Sequence, residues 1–292
     1  MSSGAAEKAS MLVEALPYIR RFSGRTVVVK YGGNALAGTA LAGTGSDALT
    51  LFAQDIVLMR SVGMRPVVVH GGGPQISDLM RRLGKTAEFR DGLRVTDAET
   101  VDIARMVLLG QVNPSIVSAI NRHGSLAIGV SGEDAGLIRA RRADPELGFV
   151  GEVDSIDPIV LVRLLDQDMI PVVATIGTDG SGQAYNINAD AVAGAIAEAL
   201  GAEKLVYLTD IDGLRRDVND PSSLIRQSTA DELQRLIDDG VLQGGMIPKI
   251  ASCVHAVSHG VERAHILDGR IPHVLLLEIF TDEGIGTMVT KG

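Results

Sequence analysis

A single cysteine, Cys253, stands in the 292 residues, so no intrachain disulfide can form and no cysteine cluster can hold zinc or an iron–sulfur centre. Tryptophan is absent and aromatics make up 3% of the chain, which removes the stacking platforms that hold single-stranded nucleic acids. Lysine and arginine number 27 against 36 aspartate and glutamate, a formal net charge of −9. A general polyanion-binding surface is therefore excluded, and an anionic ligand needs a locally positive site. No apolar run reaches the roughly 18 residues of a membrane helix, and the opening Met-Ser-Ser-Gly-Ala-Ala-Glu-Lys is no secretory leader. The chain reads as cytoplasmic, with neither membrane nor nucleic acid as partner. Disorder does not fit either, because 46% hydrophobic against 22% charged residues leaves ample apolar surface to bury.

Glycine is abundant at 34, and its placement carries most of the functional information. Short β-branched runs at 26–31, 65–70, 126–130, 170–176, 204–209 and 264–267 read as buried strands. Between them, apolar residues at helical spacing predict helices over 47–62, 74–83, 97–109, 114–123, 158–168, 189–200, 229–239 and 245–258. The alternation makes the chain α/β with a parallel sheet. Two polar, glycine-bearing excursions, 85–95 and 139–153, read as β-hairpins, and Thr178-Asp-Gly-Ser-Gly-Gln183 is a turn before a second strand–helix series. Three segments follow: 1–22, 23–176 and 177–292, with the two halves meeting near Ile176. In the first, Met11, Leu12, Ala15, Leu16 and Ile19 form an apolar helical stripe that Pro17 must kink or break. That helix either packs on its own domain or serves as an oligomerisation arm.

The strand 26–31 carries Lys30 near its end and runs into Gly32-Gly33-Asn34-Ala35, while 65–70 runs into Gly71-Gly72-Gly73-Pro74 at a helix start. In a parallel sheet both turns emerge at strand carboxyl ends, where open α/β sheets bind ligands, and glycine amides at a helix N-terminus suit a phosphate. A tight turn alone explains one such loop; two loops plus a strand-end lysine point to an anion site. In the second half, Asn186-Ile-Asn188-Ala-Asp190 opens a helix, as caps or as functional groups. Thr209-Asp210-Ile-Asp212-Gly213 leaves a strand where a nucleotide could lie, and Gly244-Gly245-Met-Ile-Pro-Lys249 places a second lysine at a helix start. Competing motifs fail. Gly84-Lys85-Thr86 lacks the first Walker A glycine because Leu79 stands there, and Gly43-Thr-Gly45-Ser-Asp-Ala48 follows no strand. His255 and His259 lie four apart, but Ala256 occupies the place of a metalloprotease glutamate, so no metal site is expected. No serine sits in a Gly-x-Ser-x-Gly elbow.

In order along the chain stand Leu16-Pro-Tyr-Ile-Arg-Arg-Phe22, Val29-Lys-Tyr-Gly-Gly-Asn-Ala35, His70-Gly-Gly-Gly-Pro-Gln-Ile76 and Gly92-Leu-Arg-Val-Thr-Asp97. Asn186-Ile-Asn-Ala-Asp190, Leu208-Thr-Asp-Ile-Asp-Gly213, Gly244-Gly-Met-Ile-Pro-Lys249 and Leu275-Leu-Leu-Glu-Ile-Phe280 follow. Together these blocks resemble the amino acid kinase family, and within it the acetylglutamate kinase branch, over nearly the whole chain. Tyr31 and Asn34-Ala35 set the first loop apart from those of aspartate, uridylate and carbamate kinases, and the chain is too short for the regulatory domains of aspartate kinases.

The resemblance implies a three-layer αβα sandwich around an open, mainly parallel sheet of about eight strands. It places the acyl substrate on the amino-terminal half and ATP on the carboxyl-terminal half. The implied reaction moves the γ-phosphate of MgATP to the side-chain carboxylate of N-acetyl-L-glutamate, with Mg²⁺ carried by the nucleotide and no resident metal. By the same resemblance, Lys30 and Lys249 hold the transferring phosphate and Asp190 orients both lysines. Gly72 and Gly73 supply amides, Arg94 grips the substrate α-carboxylate and Asn186 fixes the substrate. Gly32, Gly33, Thr209, Asp210, Asp212 and Gly213 face the nucleotide. A carboxylate acceptor is already ionised at neutral pH, so no catalytic base is required. Arginine-inhibited members are similar at both ends, with a kinked amino-terminal helix that interlaces dimers into a hexameric ring and a tail like 273–287. L-Arginine is thus an expected inhibitor, with Tyr18, Glu278, Gly284 and Gly286 around it, and the expected homo-oligomer is a hexamer built as a trimer of dimers. The competing expectation is a non-catalytic arginine or acyl-amino-acid sensor on the same fold. It should have lost one or more of Lys30, Asp190 and Lys249, and all three are present.

Overall fold

Continuous β-branched runs suit strands covered on both faces. A computed structural model, which describes residues 3–32, 48–90, 92–217, 219–242, 246–281 and 284–292, builds them that way. Gly33, Asn34, Ala35, the 43–45 turn, Gly244 and Gly245 lie outside the described residues. Eight strands form one sheet: β1 (Thr26–Tyr31), β2 (Arg65–His70), β3 (Ala127–Ser131), β4 (Ile170–Ala174), β5 (Lys204–Thr209), β6 (Gln227–Thr229), β7 (Arg263–Asp268) and β8 (Thr287–Thr290). Their order is β6-β8-β7-β5-β1-β2-β4-β3, and every neighbouring pair is parallel except β7 with β8. Around it lie α1 (Ser3–Glu14), α2 (Leu16–Phe22), α3 (Ala48–Ser61), α4 (Gly73–Arg82), α5 (Ala98–Val107) and α6 (Asn113–Asn121). They are followed by α7 (Ile159–Asp166), α8 (Ala189–Ala199), α9 (Ala230–Asp238), α10 (Ile247–Ser258) and α11 (Val274–Phe280). The architecture is the three-layer αβα sandwich.

The pleat divides each strand between two cores. Val27, Val29 and Tyr31 share one with Phe52 and Ile56 of α3 and Ile116 of α6. Val28, Val67 and Tyr207 share the other with Val192 and Ile196 of α8 and Ile250 and Cys253 of α10. Parallel strands end on one edge, so Lys30 emerges beside Val69 and Tyr207, Tyr31 beside His70, and Thr209 beside Asp268. At β1 the chain's winding reverses, with β2 on one side and the late strand β5 on the other, the position where open α/β sheets hold ligands.

The structure departs from the sequence reading in three places. The hairpin 139–153 does not stand alone: Ile138–Arg142 and Val150–Ile156 join Ile176–Thr178 and Ala184–Ile187 in a closed four-stranded barrel. The strand expected over 170–176 accordingly splits, β4 ending at Ala174 and the barrel taking over at Ile176. A Cβ on Gly132 would lie 2.3 Å from the Ile176 carbonyl oxygen, so glycine is what lets sheet and barrel meet.

The helices expected at 97–109 and 114–123 are one run, α5 and α6 joined by the π-helical turn Leu108–Val112. The wider turn delivers Pro114 to the first turn of α6, where its missing N–H costs nothing. The sequence holds no uninterrupted apolar stretch of membrane length. Yet the joined helix Ala98–Asn121, with mean hydropathy 1.3, is long and apolar enough to cross a membrane by length and composition. Half of that window is buried, and Val101, Ala104, Leu108, Ile116 and Ile120 lie in the core, so it packs as a core helix. At the amino terminus the break falls at Ala15, with Pro17 in the first turn of α2.

Gly132→Ala is expected to lower the unfolding free energy by about 3 kcal/mol in a urea titration, by forcing a methyl into the Ile176 carbonyl. Gly180→Ala, where a Cβ would meet nothing within 4 Å, should change it by less than about 0.5 kcal/mol. Equal stabilities of the two variants would mean that sheet and barrel have room to spare.

Candidate active site

Asn188 caps α8: its side-chain oxygen accepts from the Asp190 N–H at 2.8 Å. The cap fixes the first turn, and that turn projects Asp190 toward the end of β1. Lys30 Nζ lies 2.9 Å from Asp190 Oδ1, and Lys249 Nζ, from the first turn of α10, lies 2.8 Å from Oδ2. All three side chains are nearly buried, at 10–13% exposure. Burial pushes the Asp190 carboxyl up, but the two ammonium groups outweigh it and hold the group well below the usual carboxylate range. Burial likewise pulls the Lys30 ammonium down, against the attraction of Asp190.

Behind this triad, Ser252 donates its hydroxyl to the Asp190 carbonyl at 2.8 Å, and the Tyr207 hydroxyl lies 2.7 Å from Ser252 Oγ. A Cβ on Gly194 would come within 2.9 Å of Ser252 Oγ, so glycine lets α8 and α10 approach. Tyr207 and Ser252 belong to no short motif, and sequence reasoning missed them.

A cavity of about 350 Å³ opens in front of the triad, lined by Lys30, Gly32, Gly72, Gly73, Arg94, Asn186 and Asp190 among others. Residues expected to touch the acyl substrate thus share one space with Lys30 and Asp190. Gly32, expected on the nucleotide, is here too, beside the Lys30 side chain. Arg94, in the short antiparallel hairpin of Phe89–Arg90 and Leu93–Arg94, donates to the Gly73 carbonyl and Ser77 Oγ, each at 2.8 Å. Its guanidinium stacks 4.7 Å from the Phe89 ring centre, and among the described residues no carboxylate pairs with it. Gly72 caps α4, and a Cβ there would lie 2.7 Å from Leu108 Cδ2, so the π turn packs directly on the glycine loop. Just before that loop His70 is fully buried, its Nδ1 3.0 Å from the Gly71 carbonyl oxygen and its Nε2 3.0 Å from Asn113 Nδ2. Neither His70 nor Asn113 was singled out from sequence.

A second cavity, about 360 Å³, is lined by Asp210, Ile211, Asp212, Gly213, Leu242, Met246 and Arg270. Thr209 is buried at the end of β5 and turns its hydroxyl to Asp210 Oδ1 at 3.3 Å. At the tail, Glu278 of α11 is occupied internally, 3.0 Å from Lys204 Nζ and 2.9 Å from His265 Nδ1. Tyr18 is half-buried on α2, the Gly284 carbonyl accepts from Arg226, and Gly286 has φ +74°. His255 pairs with Glu198 of α8 at 3.5 Å, and His259 donates its Nδ1 proton to the His255 carbonyl, on the exposed surface of α10.

Residues 25–268 match the model of the amino acid kinase family. The chain belongs to the amino acid kinase family. It is 55% identical, over the full length of both chains, to an acetylglutamate kinase of Symbiobacterium thermophilum. The solved N-acetylglutamate synthase of Neisseria gonorrhoeae, complexed with coenzyme A and N-acetyl-glutamate, is similar at 31% identity and a TM-score of 0.82. The match covers 97% of this amino acid kinase but 63% of the synthase chain. The same synthase complexed with coenzyme A and L-arginine matches at 30% identity and a TM-score of 0.81, over 97% of this chain and 65% of that one.

Asp190→Asn should cost about 3 kcal/mol in urea unfolding at neutral pH, because it strands two buried ammonium groups. Adding Lys249→Met should recover part of that loss; full additivity would mean that the three charges do not act together. A second outcome concerns pH. Burial pulls His70 from its ordinary value near 6.5 to about 4. Below pH 6.5 the unfolded chain takes up a proton that the folded chain refuses, so stability falls as pH drops from about 6.5 to about 4, by about 3 kcal/mol for this residue. Comparing urea midpoints across that window, His70→Asn should flatten this component.

Proposed function

We propose that the chain is an acetylglutamate kinase, which transfers the γ-phosphoryl group of MgATP to the side-chain carboxylate of N-acetyl-L-glutamate. The product is N-acetyl-L-glutamyl 5-phosphate, in an early step of arginine biosynthesis in the cytoplasm. One observation carries this reading: lysines from opposite halves of the chain meet on a single carboxylate, at 2.9 and 2.8 Å. The 55% identity to the Symbiobacterium enzyme supports the choice of acceptor.

In this reading the acyl substrate occupies the cavity of about 350 Å³, its α-carboxylate on Arg94 and its chain fixed by Asn186. The reacting carboxylate points at the Gly72 and Gly73 amides, at the N-terminus of α4. ATP lies along the Thr209, Asp210, Asp212 and Gly213 loop, its base against Ile211, Leu242 and Met246, and its phosphates run to Lys30, Lys249, Gly32 and Gly33. Mg²⁺ bound to the nucleotide would neutralise phosphate charge. The acceptor carboxylate, ordinarily with pKa about 4.3, is ionised at neutral pH. It attacks the γ-phosphorus in line, the bond to ADP breaks, and no proton moves. Two ammonium groups and glycine amides meet the charge spread over the equatorial oxygens.

The regulatory reading assigns residues 1–22 to an arm that builds a hexamer as a trimer of dimers, and makes L-arginine a feedback inhibitor. Support comes from the α1 stripe, where Met11, Leu12 and Val13 are 65–71% exposed and would be covered by a second copy. Phe22 at the end of the arm lies 5.1 Å from Lys204 Nζ, and Lys204 holds Glu278, which links the arm to the tail. The related synthase complexed with L-arginine supports the choice of effector.

Incubation with MgATP, N-acetyl-L-glutamate and hydroxylamine should trap the acyl phosphate as hydroxamate. Lys30→Ala and Lys249→Ala should each lower kcat on the order of a hundredfold, about 3 kcal/mol. Hydroxamate only with aspartate or unacetylated glutamate would overturn the acceptor, and none with any acceptor would leave the non-catalytic sensor. Millimolar L-arginine should reduce the initial rate, and deletion of residues 1–22 should shrink the assembly in light scattering. No change in either would refute the regulatory reading.

A further inference from the structure

His70 is fully buried and holds two polar contacts that, taken with those of its partner, leave only one protonation pattern. Asn113 Nδ2 lies 2.8 Å from the Val172 carbonyl oxygen and 3.0 Å from His70 Nε2. A carbonyl can only accept, so the amide nitrogen must face Val172, and its second hydrogen then points at Nε2, which must be bare. On the other side of the ring, Nδ1 lies 3.0 Å from the Gly71 carbonyl, again an acceptor, so Nδ1 carries the proton. The imidazole is neutral with its hydrogen on Nδ1, in accord with the burial that disfavours its charged form.

The Gly71 carbonyl and the Gly72 N–H belong to one planar trans peptide, so they point in opposite directions. Holding the carbonyl against His70 aims the Gly72 N–H away from the ring, and Gly72 lines the cavity that contains Lys30 and Asp190. We propose that His70 and Asn113 are positioning residues that lock the Gly71–Gly72 peptide so that the Gly72 amide faces the phosphoryl group in flight.

Two further features serve the same end. A Cβ on Gly129 would lie 1.9 Å from Asn113 Oδ1, so glycine on the edge strand makes room for the Asn113 side chain. The π turn that ends at Val112 brings Asn113 inward at one end, while its Leu108 packs on Gly72 at the other. A π turn at this point gives the glycine loop a grip from two sides, which a regular helix broken by Pro114 would not provide.

The proposal rests on the kinase reading, and two measurements separate them. In long-range proton–nitrogen NMR spectra of the wild-type chain, His70 should show hydrogen on Nδ1 and bare Nε2, without titrating between pH 8 and about 5. A hydrogen on Nε2, or titration near neutrality, would overturn the pair. In the hydroxamate assay, His70→Leu should lower kcat about a hundredfold with both KM values within about threefold, since an amide serving the transition state is misaimed while binding contacts survive. His70→Asn, whose amide nitrogen falls near the Nδ1 position, should restore about tenfold of that loss, and His70→Gln, which extends toward Nε2, should not. Gly129→Ala, which displaces Asn113, should repeat the loss in kcat with KM preserved. The pair is refuted if His70→Leu keeps kcat within threefold, or if the Leu and Asn variants lose it alike. A wild-type chain that makes no hydroxamate would sink the kinase reading and the purpose of the pair with it. An active wild type with the wrong tautomer would sink the pair alone.

Discussion

Asp190 is the constraint on which the rest of the site depends. Two ammonium groups a few ångströms apart in a buried place repel strongly, and a shared counter-ion is what lets both stay charged there. Asp190 takes one on each oxygen, so its position sets theirs. Within this trio, two positive charges against one negative leave a net positive charge, in a chain whose total is −9. Each ammonium has three N–H donors against the one Asp190 oxygen it meets, which leaves donors for an incoming anion. Helix N-termini add to this: α4, α8 and α10 all begin at this edge of the sheet, with residues of each in the cavity or on the triad.

What holds Asp190 is short-range and directed at its backbone. Asn188 caps its helix, and Ser252 with Tyr207 grips its carbonyl, so the carboxylate is aimed by its own main chain and leaves its oxygens to the lysines. Lys30 gains its place from register: one residue from the end of the central strand, between Val69 and Tyr207, it has nowhere to point but along the second core toward α8. Small residues make the approach possible, since Gly194 admits Ser252 and Gly72 admits Leu108. The chain therefore spends glycines in two ways, on turns and on close contact between elements, and only the first kind advertises itself in sequence.

That distinction accounts for what was legible. Lys30, the loop after His70 and the Asn186–Asp190 block sit where an apolar run stops and glycine or asparagine begins, so strand ends and helix starts declare themselves. The barrel did not: Ile176–Thr178 has three residues and Ala184–Ile187 four, too few for an alternation to register. Gly132, Gly151 and Gly177, which let its walls close, look like any other glycines until their neighbours are known. Pro114 marked a break that tertiary packing absorbed into a π turn. Glu278 stood out in the tail, but its partners Lys204 and His265 come from strands that only the sheet order makes adjacent.

The same electrostatics restrict the chemistry. A hydroxyl acceptor needs a group that can take its proton as the bond to phosphorus forms. Asp190 is the carboxylate that pairs with both lysines, and with an ammonium on each oxygen its affinity for a proton is far too low for that task. His70 is near, but its ring is spoken for on both nitrogens and is walled off from solvent. A site arranged in this way gains nothing from a neutral nucleophile and much from an anionic one, since the acceptor's charge is itself drawn to the surplus positive charge. An acceptor carboxylate meets that demand unaided, and Arg94, without a carboxylate partner among the described residues, lines the same cavity as Lys30. Lys30 and Arg94 thus place two cationic groups along one cavity, a charge distribution that favours anionic ligands over neutral ones before any contact with an acyl group is considered.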